Sequence, residues 1–259
     1  MGLLDGVVAV VTGVANKRSI AWGIAQVFDR EGAQLILTYQ NERFFENLEK
    51  LVPELNRRPE VVELDVVHDE SLERLGAWLS EHHPEGIHAL VHSIAYAERR
   101  DLEGRFLDTS RDGFLVAQNI SAYSLIALSR TVVPSMVRAG WGSIIALTHQ
   151  GSTRVMPNYN VMGAAKASLE SSMRYLAYEL GRDRIRVNAI SAGPVKTLAA
   201  SGVRGISQAL KMTEERAPIP ENISTVDVGH AAAFLASPWA SHITGNILFV
   251  DSGFHILGA

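Results

Sequence analysis

The sequence predicts an α/β fold, a doubly wound parallel sheet of seven strands with helices on both faces. Two observations carry this. The strand candidates are short continuous apolar runs rich in Val, Ile and Leu, the pattern of strands buried on both faces. Each is separated from the next by a stretch with helical spacing of apolar residues, and strands that alternate with helices imply right-handed crossovers and parallel pairing.

In chain order, the first strand is Val7 to Thr12, ended by Gly13, and a loop leads into a helix reaching about Arg30. Strand two covers Ala33 to Tyr39, a helix Glu42 to Leu55, and strand three Val61 to Val66. Ser71 to Leu79 is helical, with Leu72, Leu75 and Leu79 on one face, and Ile87 to Val91 is strand four. A long helix containing Phe114, Ile120, Leu125 and Leu128 runs to about Val137, before strand five at Ser143 to Thr148. A helix from Tyr159 to about Leu180, strand six at Ile185 to Ile190, a helix at Val226 to Leu235 and a last strand at Asn246 to Val250 complete the series. In such sheets the ligand lies at the carboxyl ends of the strands, which places Gly13, Asp65, Ser93, Thr148 and Pro194 around one cleft.

The 259 residues, 47% of them apolar, suit one large domain spanning 1–259 better than two small ones. A net charge of −4 offers nothing to draw nucleic acid or an anionic membrane. The absence of cysteine excludes disulfides and thiolate metal sites and fits a cytoplasmic protein. The first residues, Met1 to Gly6, lack a basic and apolar leader, and no uninterrupted apolar run approaches membrane-spanning length. The nine histidines show no metal-ligand spacing, so no metal is assigned.

Chemistry concentrates between Pro157 and Lys166. Tyr159 and Lys166 are separated by about two helical turns, roughly 10 Å of rise, and so share a face. Side chains lean toward the helix N-terminus, which aims the lysine back at the phenol. An ammonium near a phenol favours the phenolate and makes the neutral hydroxyl a better donor to a developing oxyanion. Gly13 at a strand end before a helix N-terminus suits a pyrophosphate, although the usual G-x-G-x-x-G is missing.

Five segments together resemble the enoyl-[acyl-carrier-protein] reductases, a divergent branch of the short-chain dehydrogenase/reductase superfamily with a Rossmann-type sheet. They are Gly13 to Ala25, His92 to Ala97, Tyr159 to Lys166, Arg186 to Gly202 and Val250 to Phe254. Ordinary short-chain dehydrogenases place lysine four residues after the tyrosine, where this chain has Gly163; Met162 and Lys166 instead fit the branch's Tyr-x2-Met-x3-Lys.

The resemblance implies hydride transfer from NADH, with NADPH less favoured, to a trans-2-enoyl thioester on acyl carrier protein, in a homotetramer. Tyr159 would donate to the thioester oxygen and Lys166 would bind the nicotinamide ribose. Gly13, Ala15, Ser19 and Ile20 would line the pyrophosphate, Asp65 and Val66 the adenine, and Ser93 and Ile94 the far side of the cofactor. Val195, Thr197, Leu198 and Ala199 would close over the nicotinamide and phosphates, and Ala97 would touch substrate. Gln40, at the end of strand two, resembles the glutamine of NADH-using members, while Arg18 and Arg43 would reach a 2′-phosphate only if their loops folded inward. His149 replaces a tyrosine usual in the family and is a further catalytic candidate, with a pKa near neutrality expected to make the rate pH-dependent.

A substrate lid is expected at about 195–215, with Leu198 to Met212 as an apolar flap and Lys196, Arg204 and Lys211 available to an acidic carrier. The apolar tail, Phe254 to Ala259, is expected to be buried, against a neighbouring subunit. Two rivals are weaker. A carbonyl or 3-oxoacyl reductase expects the shorter spacing that Gly163 denies, and a non-catalytic NAD(H) sensor has no need of Tyr159 and Lys166 together.

Overall fold

In the computed structural model, which describes residues 2–197 and 205–258, seven strands form one parallel sheet in the order β3-β2-β1-β4-β5-β6-β7. They are β1 (Val8–Val11), β2 (Gln34–Tyr39), β3 (Glu60–Glu63), β4 (Ala89–His92), β5 (Gly142–Thr148), β6 (Ile185–Ala192) and β7 (Ile247–Val250). The chain order reverses direction across the sheet between β1 and β4, and the crevice at their carboxyl ends is the topological switch point.

The continuous apolar runs divide residue by residue between two cores. Ala9 and Val11 of β1 and Ile145 and Leu147 of β5 face one core with α1 (Ile20–Arg30), α2 (Glu42–Leu51) and α9 (Thr225–Ala236). Val10, Ile144 and Ala146 face the other with α3 (Asp69–His82), α6 (Ser124–Ala139) and α7 (Asn160–Leu180). The period-two alternation of side chains makes the central strands apolar to both sides. Ser19, Asn41, Ser110 and Ser224 cap α1, α2, α5 (Arg111–Gln118) and α9 with side-chain oxygens. Among the described residues the remaining α-helices are the single turn α4 (Arg99–Leu102) and α8 (Ile206–Arg216).

Several boundaries differ from the expectation. The helix from Glu42 stops at Leu51 and tightens into a 3-10 turn over Val52–Glu54, because Pro53 has no N–H to continue the ladder. The long helix through Ile120 is interrupted by a π turn over Asn119–Tyr123. There Ser124 donates to Ile120 O at 2.7 Å and Ser121 binds both the N–H and the C=O of Tyr96, each at 2.9 Å. The π turn therefore anchors the loop after β4. Residues 111–139 have the length and apolar content of a membrane-crossing helix, but Leu125, Leu128, Val132 and Met136 spend that apolar face on the core.

Of the expected lid, Leu198, Ala199 and Arg204 lie outside the described residues. Within α8, Leu210 and Thr213 are buried, while Lys211 faces outward and pairs with Glu215 at 3.5 Å. Within the single chain Ile256 of the tail is 66% exposed, and the segment is held through its backbone, Arg154 donating to His255 O and Leu257 O.

Candidate active site

Gly13 sits at the junction of β1 and β4 with φ of +84°, and an added Cβ would stand 2.0 Å from Ser93 O. Only glycine allows the two strand ends to approach this closely. Thr12 ties the same junction, donating its hydroxyl to Val91 O at 2.9 Å and accepting Ser93 N–H at 3.2 Å. Ser19 follows as the N-cap of α1, accepting from Trp22 N at 3.3 Å and donating to Asn16 O at 2.7 Å, with Ile20 as the first helical residue. This puts the positive end of the α1 dipole beside Gly13 and Ala15, where a pyrophosphate fits.

At the other end of the crevice Gln40 Nε2 donates to Asp65 Oδ2 at 3.2 Å, joining the ends of β2 and β3. Asp65 Oδ1 meanwhile accepts Val67 N–H at 3.0 Å, so Asp65 is also the turn residue of this corner, beside the buried Val66. Ile94 packs on the second core, and Thr197 N–H donates to Val195 O at 2.7 Å in the loop after β6.

The reactive side chains collect at the end of β5. Tyr159 is not within the helix, as the sequence suggested, but is its N-cap residue, and its carbonyl accepts the first helical bond from Gly163 N at 2.9 Å. Its ring joins Ala97, Leu102, Val161 and Met162 in a small apolar cluster, so the expected substrate contact Ala97 and the phenol share one wall. Lys166 is 5% exposed and donates to Leu147 O at 2.7 Å. Burial lowers its pKa to about 8 against the opposing pull of the Glu170 carboxylate.

Two expectations about ionisation are corrected. The Tyr159 phenol is pushed up, by burial first and then by Glu170, so the site favours the neutral hydroxyl and not the phenolate. His149 is lowered to about 4, by burial and then by the Lys166 charge, so it does not titrate near neutrality. Its ring lies 4.8 Å from that of Tyr159, and its Nδ1 accepts Gly151 N–H at 3.0 Å, which leaves the proton on Nε2 as a donor.

Gly151 and Gly163 explain the long tyrosine-to-lysine spacing. A Cβ at Gly163 would meet Gly151 O at 2.8 Å, and one at Gly151 would meet the Tyr159 ring at 2.6 Å. The chain is too close here for the lysine that ordinary short-chain dehydrogenases carry at that position. The sequence reading missed Glu170 and the buried His92–Ser124 hydrogen bond of 2.7 Å. The first was signalled by its place one turn after Lys166; the second had no local signal.

A family model described as enoyl-(acyl carrier protein) reductase matches residues 13–255. The chain belongs to this family. It is 49% identical to the NADH-dependent enoyl-[acyl-carrier-protein] reductase of Bacillus cereus, over the whole of both chains, and 48% identical to the NADPH-dependent enzyme of Staphylococcus aureus, over 98% of each. A crystal structure of the Bacillus cereus reductase with NADP+ and an indole naphthyridinone superposes with a TM-score of 0.96, covering 100% of both chains. The Aquifex aeolicus enzyme superposes at 0.94 with 46% identity, again over both whole chains. The protein is thus an oxidoreductase that uses a nicotinamide dinucleotide, and the rival readings are not favoured. Relatives of nearly equal identity differ in cofactor, so overall similarity does not choose between NADH and NADPH.

Proposed function

We propose that this reductase converts trans-2-enoyl-[acyl-carrier-protein] to the saturated acyl thioester with NADH, the last step of the fatty acid elongation cycle. The observation that carries the reading is the convergence at the end of β5 of a neutral phenol, Tyr159, and a buried ammonium, Lys166, seven residues apart. Reduced nicotinamide, when bound, would supply the hydride. Gly13, Ala15, Ser19 and Ile20 would hold the pyrophosphate, Lys166 the nicotinamide ribose, Ser93 and Ile94 the far face, and Val195 with Thr197 the carboxamide side. Tyr159 would donate its hydroxyl to the thioester oxygen, where charge would collect during reduction, an interaction worth about 2.7–4 kcal/mol. His149, neutral with its proton on Nε2, is the second donor along this wall.

NADH is favoured because, among the described residues, no cation bonds to Gln40 or Asp65 at the end of β2. Gln40 is bonded to the Asp65 carboxylate, which would face a 2′-phosphate, and Arg18 and Arg43 are exposed. The carrier protein would meet Lys196 and Lys211, both exposed, and the enzyme would work in the cytoplasm as a homotetramer. Tyr175 and Tyr178, 75% and 86% exposed on α7, suit burial against another subunit. The test is oxidation of NADH with enoyl thioesters beside a 3-oxoacyl thioester. Turnover of the enoyl substrates is expected; turnover of the 3-oxoacyl substrate alone would overturn the reading.

A further inference from the structure

Glu170 is a buried acid without a task in the reaction above. It lies one turn beyond Lys166 on α7, is 4% exposed, and its Oε1 accepts the Thr148 hydroxyl at 2.6 Å. The preceding residue of β5, Leu147, takes the Lys166 ammonium on its carbonyl. The last two residues of β5 therefore each hold one of the opposite charges that α7 carries, and the next residue is His149. Among the described residues no ion pair joins Glu170 to Lys166, so the carboxylate acts on the ammonium through space. A carboxylate buried without a cation in contact is costly, and a position that needed only filling would be served better by an uncharged side chain.

We propose that Glu170 is a positioning residue: its carboxylate, held by the Thr148 hydroxyl one turn beyond Lys166, seats α7 against β5 and keeps the Lys166 ammonium charged for the nicotinamide ribose. This rests on the roles given above to Tyr159 and Lys166. Glu170 opposes loss of the Lys166 proton against the effect of burial, and adds to burial in holding the Tyr159 proton, which the phenol keeps at neutral pH in any case. Other titratable groups nearby do not substitute for it. His92 at the end of β4 and His149 after β5 are lowered to about 3 and about 4 and are neutral. On α4, Arg99 and Arg100 point outward to Glu103 and Glu98, and Asp101 is bound by Ser110. Arg111 and Asp112 of α5, Arg130 and Arg138 of α6, and Arg182 and Asp183 after α7 are exposed. Arg186 of β6 is engaged by the carbonyls of Leu235 and Ser237.

The test is NADH affinity, read by fluorescence without thioester, from about pH 6 to about pH 10. Glu170→Gln keeps an acceptor for Thr148 but removes the charge, and its alkaline midpoint is expected to fall by about one pH unit. Glu170→Met, which packs without a hydrogen bond, is expected to shift the same way and serves if the first variant does not fold. Glu170→Asp should hold the wild-type midpoint, and Thr148→Val should weaken binding without moving it. Midpoints of the neutral variants that coincide with wild type, or a shift in Glu170→Asp or Thr148→Val as large as theirs, would overturn the proposal. Because no thioester is present, failure of enoyl reduction is a separate result.

Discussion

The half of the crevice proposed for the dinucleotide, at the ends of β1 to β3, and the half proposed for catalysis, at the ends of β4 to β6, are built from different materials. The first uses backbone: a left-handed glycine, a helix N-terminus and two polar side chains, the exposed Gln40 and the half-buried Asp65, that bond each other. The second uses buried side chains, with Lys166, Glu170, Thr148 and His92 all nearly removed from water. Backbone amides bind phosphates of any dinucleotide, so the first half specifies a cofactor class. Buried charges hold protonation states away from their solution values, so the second specifies a reaction.

If this contrast is right, each half breaks in its own way. Gly13→Ala combines a left-handed backbone with an overlap on Ser93 O, and should cost about 2–5 kcal/mol of stability, read as a fall in thermal midpoint together with lost NADH binding. Tyr159→Phe should leave folding and NADH binding intact while kcat falls about 10²–10³-fold; a change of less than threefold would remove the phenol from the mechanism. Replacing Gln40 by Arg should raise the NADPH-to-NADH ratio of kcat/KM about tenfold, roughly 1.4 kcal/mol, without altering kcat for the better cofactor. An unchanged ratio would mean that the adenosine corner is set elsewhere.

Gly163→Ala weighs two effects. Alanine gains about 1 kcal/mol of helix propensity but overpacks Gly151 O at a cost of about 1–3 kcal/mol. Net destabilisation is expected, lowering the thermal midpoint by about 2–4 °C. The smallest effect on rate belongs to His149→Gln, whose pH–rate profile should overlay wild type above about pH 5, since the imidazole is already neutral there. Stability tells the same residue differently. The unfolded histidine takes up a proton below its ordinary value of 6.5 while the folded one waits until about 4, so stability falls as pH drops through that window. The variant should lose stability less steeply between those pH values in urea titrations.

The order of strands and helices was legible because the central strands are apolar on both faces and the helices between them carry apolar stripes, patterns that need no distant partner. The tyrosine-to-lysine spacing was legible for the same local reason. The boundaries that moved did so through tertiary partners: Ser121 and Ser124 open the π turn only because Tyr96 and His92 stand opposite them. The anchoring of the tail was not legible, because Arg154 holds the segment by backbone carbonyls, which apolar content does not signal.

By itself the sequence determined the doubly wound sheet, the residues at its carboxyl edge and the choice of a lysine seven positions beyond the tyrosine. Protonation was decided only in three dimensions. Whether His149 is charged, whether Tyr159 is a phenol or a phenolate, and what Glu170 does depend on how much water each group loses and which charge it then faces. Those quantities belong to the packed assembly of β4, β5 and α7, and no single segment contains them.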